Sequence, residues 1–477
     1  MRLAAVLDRD SSTPLHRQIY EQWRKGILTG RFRPADPVPS SRDLAATLEV
    51  SRSTVTEAYE QLIAEGYLET SQGSGTFVCR KLPDELLTAR HVAKVGTQED
   101  VPVRLSRYGA RLTADYGRPS APPGVIYFSP GIPDLPHFPF ALWRRLLMRH
   151  LRKPDQAIFD YAEEAAGFPR LRTEIAAYVS RLRAVRCVPE QVIVVNGSQQ
   201  ALDLCARLLL ETGDDVAMEN PGYRGAQRVF TACGTRLHAL SIDAEGIVVR
   251  HFTRPAKLVY VTPSHQLPTG VSMSLARRLE VIGWARQRGA VIIEDDYCSE
   301  YRYSGPPLPS LQGMASGVAV IYIGTFSKIM FPGLRLGYII APPQLVPLLT
   351  RAKWLSDRHT PVLEQAALAD FLSEGHLERH IRRMRRLYGL RREVLVESLS
   401  RHFGASAKVF GEAAGMHVMV RFDDERIGQR STRNRVQLVS ADEYYLTDPP
   451  GQEFVFGFAA TGERTIREGV KRLATAP

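Results

Sequence analysis

The chain has 477 residues, of which 44% are hydrophobic and 24% charged, so it is long enough for two or three packed domains and too apolar for wholesale disorder. Lys and Arg exceed Asp and Glu by 62 to 51, a net charge of +11 that directs attention to anionic partners such as nucleic acid or phosphate esters. No apolar run reaches the roughly 18 residues of a membrane helix, and Asp8 comes too early for a signal-peptide core. The five cysteines stand singly, with no CxxC pair and no His at zinc spacing; reduced thiols in a cytoplasmic protein, and no metal site, are expected.

In chain order, Thr13-Pro14 reads as a helix start, and Leu15, Ile19, Trp23 and Ile27 form one apolar stripe behind it. Ser40 and Asp43 stand at capping-box spacing before a short helix whose Leu44 and Leu48 face inward. After a three-residue turn, Ser51 caps a third helix with Val55, Ala58, Tyr59 and Leu62 on one face. Tyr67–Thr70 and Thr76–Val78 read as strands joined by the glycine-rich Ser71–Gly75. Helix, helix, tight turn, helix and hairpin is the order of a winged helix-turn-helix, which places the third helix in the major groove. Its outward face carries Arg52, Ser53, Thr54 and Thr56, suited to base edges and phosphates. Arg42 is placed to clamp the DNA backbone, and Gly73 and Gly75 allow a wing tip to approach closely. This stretch resembles the GntR-type DNA-binding domain, and Ala35 and Glu49 stand at turn positions where that family usually has Gly, so the resemblance implies a positive φ at Glu49. Ten basic residues meet ten acidic ones over residues 1–80, so the proposed DNA reader is neutral and placement rather than total charge carries the case.

Residues 81–123 lose periodicity and gather Pro, Gly and mixed charge, as a tether would. RLSRYGARL within them has room for one helical turn. From 124 to 477, short apolar strands (Val192–Val195, Val216–Met218, Leu258–Val261, Val291–Ile293 and Val320–Ile323) alternate with helical stretches. This predicts a mainly parallel α/β sheet, with a small C-terminal α/β subdomain from about 345. Ligands of such sheets sit at the strands' carboxyl ends. Those ends carry Ser198 and Gln199 at a helix start, the acids Glu294–Asp296 with Tyr297, and Thr325-Phe326-Ser327-Lys328 followed by Arg335. No GxGxxG occurs, which disfavours a dinucleotide. A lysine for a Schiff base, a carboxylate for a pyridine nitrogen and helix amides with an Arg for a phosphate suit one cofactor. In 379–392, RHIRRMRRLYGLRR, seven arginines surround Ile381, Met384 and Tyr388, which with Leu377 and Val394 make one apolar face; a solvated basic helix is expected rather than a nucleic-acid contact.

The run from PLHRQIYEQW to SQGSGTFV resembles the GntR-type DNA-binding domain, and TFSKIMFPGLRLGY, VIIEDDYCSEYRY, PSHQLPTG, NGSQQAL and ENPGYRG resemble, in order, fold-type I aspartate-aminotransferase-like proteins. Together they are similar to the MocR (GabR-like) regulators. The resemblance implies that Lys328 forms a Schiff base with pyridoxal 5'-phosphate, Asp295 pairs with its ring nitrogen, Tyr297 bonds the ring hydroxyl and Tyr223 stacks on the ring. It further implies that Ser198, Gln199, Thr325, Ser327 and Arg335 hold the phosphate and that Tyr161 reaches the phosphate of a neighbouring subunit in a head-to-tail homodimer. Double-stranded operator DNA and a small effector (PLP, an amine or an amino acid) are the implied partners. Val455 stands where aminotransferases usually carry the Arg that clamps the substrate carboxylate, so transamination is expected to be weak or vestigial. The alternative is an active aminotransferase with a DNA-binding-like appendage.

Overall fold

The computed structural model describes residues 7–71, 75–82, 103–112, 122–153, 155–161, 164–305 and 308–475. The chain divides into two compact units, Met1–Arg104 and Leu105–Pro477. Most of the sequence-inferred tether lies outside the described residues, but Arg107–Ala110 forms the helical turn expected of RLSRYGARL, capped by Ser106.

In the first unit, α1 (Leu15–Leu28), α2 (Ser41–Leu48) and α3 (Arg52–Ala64) pack against a three-stranded antiparallel sheet. Its strands β1 (Pro37–Val38), β2 (Leu68–Ser71) and β3 (Gly75–Val78) lie in the order β1-β3-β2. Ile19, Trp23, Ile27, Leu44, Val55, Ala58, Tyr59 and Leu62 form the core, as the stripes predict. The start of α1 differs by one residue: Pro14, not Thr13, takes the N-cap, with no side-chain bond. Only half of the capping box forms. Asp43 N donates to Ser40 Oγ at 3.2 Å, but the Asp43 carboxylate accepts from the Ser40 hydroxyl because it is one methylene too short for the Ser40 amide. Glu49 takes the left-handed conformation expected of it, at φ 52°, and Ala35 does so at φ 66°. β1, a two-residue strand, leaves no signal in the sequence.

The second unit is built on an eight-stranded sheet in the order β5-β12-β11-β10-β9-β6-β7-β8. In chain order its strands are β5 (Val192–Val195), β6 (Asp215–Asn220), β7 (Arg236–Asp243), β8 (Gly246–Ile247), β9 (Leu258–Val261), β10 (Val291–Asp296), β11 (Val320–Thr325) and β12 (Gly337–Ile340); β4 (Ile126–Tyr127) lies outside this sheet. Strands β7, β6, β9, β10 and β11 run parallel, while β12 is antiparallel to both neighbours and β8 to β7. Alternate residues feed different cores: Val192, Val194, Tyr322 and Ile340 pack in one cluster, and Ile193, Val195, Ile321 and Ile339 in another. The strands predicted from Val216, Val291 and Val320 all form but run two or three residues further, which places Asp295 inside β10 rather than after it.

A smaller antiparallel sheet, β13 (Ala407–Phe410), β14 (His417–Phe422), β17 (Glu453–Gly457) and β16 (Val439–Ser440), packs with helices His376–Phe403 and Glu463–Ala474. β15 (Val436–Gln437) pairs in parallel with β4. On helix His376–Phe403 the apolar face is as expected, with Leu377, Ile381, Met384, Tyr388 and Val394 buried. The expectation that its arginines are solvated needs correction at two positions: Arg392 is part-buried with its guanidinium 5.1 Å from the Tyr303 ring, and Arg391 is buried outright. Arg391 falls one turn beyond Tyr388 on that same face, is 5% exposed, and is neutralised by Asp134 at 2.6 Å and Glu463 at 3.3 Å. Among the described residues no helix is long and apolar enough to cross a membrane.

Candidate functional site

The carboxyl ends of β5, β6, β10 and β11 converge on a cavity of about 600 Å³. Its lining includes Ser198, Gln199, Tyr223, Asp295, Tyr297, Thr325, Ser327, Lys328 and Arg335, nine residues singled out from the sequence. The strand ends account for the convergence, because in a parallel arrangement the loops after successive strands open on one edge.

Asp295 is buried at the end of β10. Its Oδ2 accepts from the Tyr260 hydroxyl at 2.7 Å, and its Oδ1 is buried with no hydrogen-bond partner. Burial pushes the carboxyl up to about 6, with Asp296 adding to the rise and Tyr260 and Lys328 opposing it. Such an oxygen suits a cationic N–H donor, which a protonated pyridine ring supplies. Lys328 reaches the cavity from the turn after β11 and donates from Nζ to the carbonyl of Gly131 at 2.9 Å. The Tyr297 hydroxyl is buried beside the Cys298 thiol, and burial raises it well above its ordinary value. The Tyr223 hydroxyl donates to Gln199 Oε1 at 3.3 Å, which holds the ring across the cavity wall.

A second cluster suits a phosphate. Helix Ser198–Leu209 starts at Gly197 with no side-chain cap, so its first amides are not consumed by the chain's own side chains. Gly197 sits at φ 87°, and a Cβ there would come within 3.0 Å of Arg335 Nη2. Glycine is therefore needed both for the turn and for the approach of that guanidinium. Arg335, itself at φ 51°, donates to the Asn196 carbonyl at 2.8 Å. The Ser327 hydroxyl is buried without a hydrogen-bond partner, and Thr325 Oγ1 accepts from Ser327 N at 3.2 Å. The orphaned Asp295 and Ser327 oxygens, Arg335 and the open helix start fit a cofactor that carries a pyridine ring and a phosphate.

Tyr161 is not brought to this cavity in its own chain. It is 74% exposed, with Arg358 over its ring at 5.5 Å. Val455 also stays away from the cavity lining: it is fully buried on β17, packed with Met419 and Ala441.

Sequence reasoning missed Tyr260, Gly131, Arg228, Leu267, His417 and Tyr444. For Tyr260 a signal existed, since a polar side chain near the end of an otherwise apolar strand invites a partner on its neighbour. The others meet the cavity through long-range packing and leave no local pattern. His417 is a neutral imidazole there. Burial pushes it down to about 4, and its Nε2 lies 3.2 Å from the Pro268 carbonyl, the acceptor for an N–H at that nitrogen.

In the first unit, Ser51 Oγ accepts from Thr54 N at 3.1 Å and lies 2.7 Å from the hydroxyls of Ser53 and Thr54, so the start of α3 is a hydroxyl cluster. Arg42, Arg52 and Ser53 are exposed, and Arg52 Nε reaches Ser41 Oγ at 3.3 Å. Thr56 is half-buried and donates to the Arg52 carbonyl at 2.9 Å, which takes up its hydroxyl hydrogen. Gly75 is exposed at φ 108°, while Gly73 lies outside the described residues.

Residues 15–78 match the family model of bacterial regulatory proteins of the gntR family, and residues 137–473 match that of aminotransferase class I and II. The chain therefore belongs to the aminotransferase class I and II family and carries a gntR-family helix-turn-helix domain at its N-terminal end. Members of the aminotransferase class use pyridoxal phosphate. Its full-length relatives are HTH-type transcriptional regulators. It is 41% identical over 476 residues to the probable rhizopine catabolism regulatory protein MocR of Rhizobium meliloti, covering 99% of this chain and 95% of that protein. It is 31% identical to the HTH-type pyridoxine biosynthesis transcriptional regulator PdxR of Corynebacterium glutamicum, over 98% and 96% of the two chains. The larger unit is similar to the α-aminoadipate aminotransferase LysN of Thermus thermophilus, solved with N-(5'-phosphopyridoxyl)-L-leucine: TM-score 0.70, 28% identity, 78% of this chain and 96% of that one.

Proposed function

We propose that this protein is a cytoplasmic transcriptional regulator that reads operator DNA with its winged helix and answers to pyridoxal phosphate, or to an amine-bearing ligand that meets it, in the cavity of the larger unit. One observation carries the reading. The same chain has exposed Arg42, Arg52 and Ser53 around the start of a recognition helix and a cavity where Lys328 meets the partnerless oxygens of Asp295 and Ser327.

The cofactor, when bound, supplies an electrophilic aldehyde to which amines add. The residues that would hold it are those already placed. Asp295 Oδ1 would accept from the ring nitrogen while Tyr260 fixes Oδ2. Arg335, Ser198, Gln199, Thr325, Ser327 and the amides of helix Ser198–Leu209 would take the phosphate. Tyr223 would cover the ring and Tyr297 its hydroxyl, and Lys328 Nζ, anchored on the Gly131 carbonyl, would stand as the amine of the site. Tyr161, exposed and far along the chain from the strand ends, is assigned to the phosphate site of a second subunit in a head-to-tail homodimer.

Efficient transamination is not part of the proposal. The position that usually carries the substrate-clamping Arg is a buried Val455 inside an apolar cluster. The alternative, a working aminotransferase, draws support from Lys328, Asp295 and Arg335 lining one cavity. It requires turnover of common amino acids at ordinary enzyme rates, on the order of 1 s⁻¹ or more. The regulator reading is tested by comparing DNA binding of the full chain with and without pyridoxal phosphate. A cofactor-dependent change supports it, and amino-acid turnover at that rate would sink it.

A further inference from the structure

Five side chains of the cavity lining are Asp, Lys or Arg: Arg224, Arg228, Lys328 and Arg335 are cationic, and Asp295 alone is anionic. Arg335 is held at the phosphate cluster by the Asn196 carbonyl, and Lys328 by the Gly131 carbonyl. Arg224 is held differently. It opens helix Arg224–Cys233 and makes an ion pair with Glu443, on the short helix Ala441–Tyr444. The next residue, Tyr444, lines the cavity, and its carbonyl accepts from Gly222 N at 2.9 Å and Gln227 Nε2 at 2.8 Å. The backbone around Glu443 is thus tied down independently of its side chain. Arg224 and Glu443 are 36% and 50% exposed, and a half-exposed ion pair of this kind is weak. Glu443 can turn to solvent at little cost, and a carboxylate entering the cavity mouth can take its place with a planar guanidinium as partner. Val455 removes the usual alternative anchor from β17.

We propose that Arg224 is the anion-selecting residue of the cavity, gripping the carboxylate or sulfonate of an amine-bearing ligand, and that Glu443 occupies it until such a ligand arrives. This rests on the reading of the cavity as a cofactor-and-amine site and narrows it to amines with an acidic group. Arg228, one helical turn further on, adds positive potential at the same wall.

The full-length protein loaded with pyridoxal phosphate is titrated with L-alanine, β-alanine and taurine, and with ethylamine, the amine all three become without their acidic group. Binding is read by calorimetry and by the visible band of the cofactor. At least one acid should bind about tenfold or more tighter than ethylamine, since a hydrogen bond to a charged group is worth that much; whether β-alanine or taurine is preferred separates carboxylate from sulfonate. Arg224→Gln should erase the difference and Arg224→Lys should restore part of it. Glu443→Gln should tighten the acid by about three- to fivefold, the worth of an exposed ion pair, and leave ethylamine unchanged. Ethylamine binding as well as every acid, or an Arg224→Gln protein that still discriminates, overturns the proposal. A protein that forms no visible band with the cofactor instead overturns the underlying cofactor reading.

Discussion

The Tyr260 hydroxyl and the Asp295 carboxylate are joined across β9 and β10 by a buried hydrogen bond of 2.7 Å that uses Oδ2 and leaves Oδ1 to the cavity. The bond orients the acid, and it counters the rise that burial imposes on its titration. Tyr260→Phe removes one hydroxyl from a packed site and takes that counterweight away. The cofactor should then bind about tenfold more weakly, in keeping with the loss of one hydrogen bond to a charged group. The fluorescence of the bound cofactor in an equilibrium titration checks this.

Asp295 also makes stability depend on pH. Its folded value is raised to about 6 from an ordinary value near 4. Its contribution is therefore full below the unfolded value and is lost as pH rises through the folded one. Cofactor-free Asp295→Asn should melt higher than wild type at pH 8, by on the order of 2–3 kcal/mol, and no higher at pH 4. Comparing the two proteins at each pH cancels the buried His417, pushed down to about 4, whose contribution runs the other way and is lost as pH falls.

Arg391 is a buried cation held by Asp134 and Glu463. Arg391→Met leaves the buried Asp134 with His137, at 3.0 Å, as its remaining basic partner, and should cost up to about 3 kcal/mol in chemical denaturation, the low end of the penalty for breaking a buried pair from one side. Arg382→Glu with Arg386→Glu, two exposed positions on the same helix, should leave operator affinity nearly unchanged in a gel-shift titration.

Much of this was legible locally. The winged-helix order followed from stripes such as Ile19, Trp23 and Ile27 and from the Ser40 and Ser51 caps, because i, i+4 burial and capping are short-range physics. Strand ends, and with them eight cavity residues, followed from apolar runs that stop at polar turns, while Tyr223 came only from the resemblance of ENPGYRG. What stayed hidden depends on contacts far apart in sequence. Tyr444 meets the cavity through bonds to Gly222 and Gln227, and Arg391 is buried because Asp134 lies over it. β12 reads no differently as a parallel or an antiparallel strand, since four apolar-rich residues carry no direction.

The exposed arginines of the first unit should separate in kind. Arg52→Ala, at the start of α3, should cost about 1–3 kcal/mol and relax sequence preference, whereas Arg42→Ala should weaken all DNA alike and lower the salt slope by about one. Anisotropy titrations across salt concentrations distinguish the two.

We propose that cofactor occupancy of the larger unit changes how the winged helix binds DNA. Footprinting of the full-length protein on its own upstream DNA, with and without pyridoxal phosphate and alongside Lys328→Ala, tests it most directly. The footprint or affinity should change with the cofactor in the wild type and stay unchanged in Lys328→Ala. A wild-type footprint that is the same in both conditions, with the cofactor demonstrably bound, would contradict it.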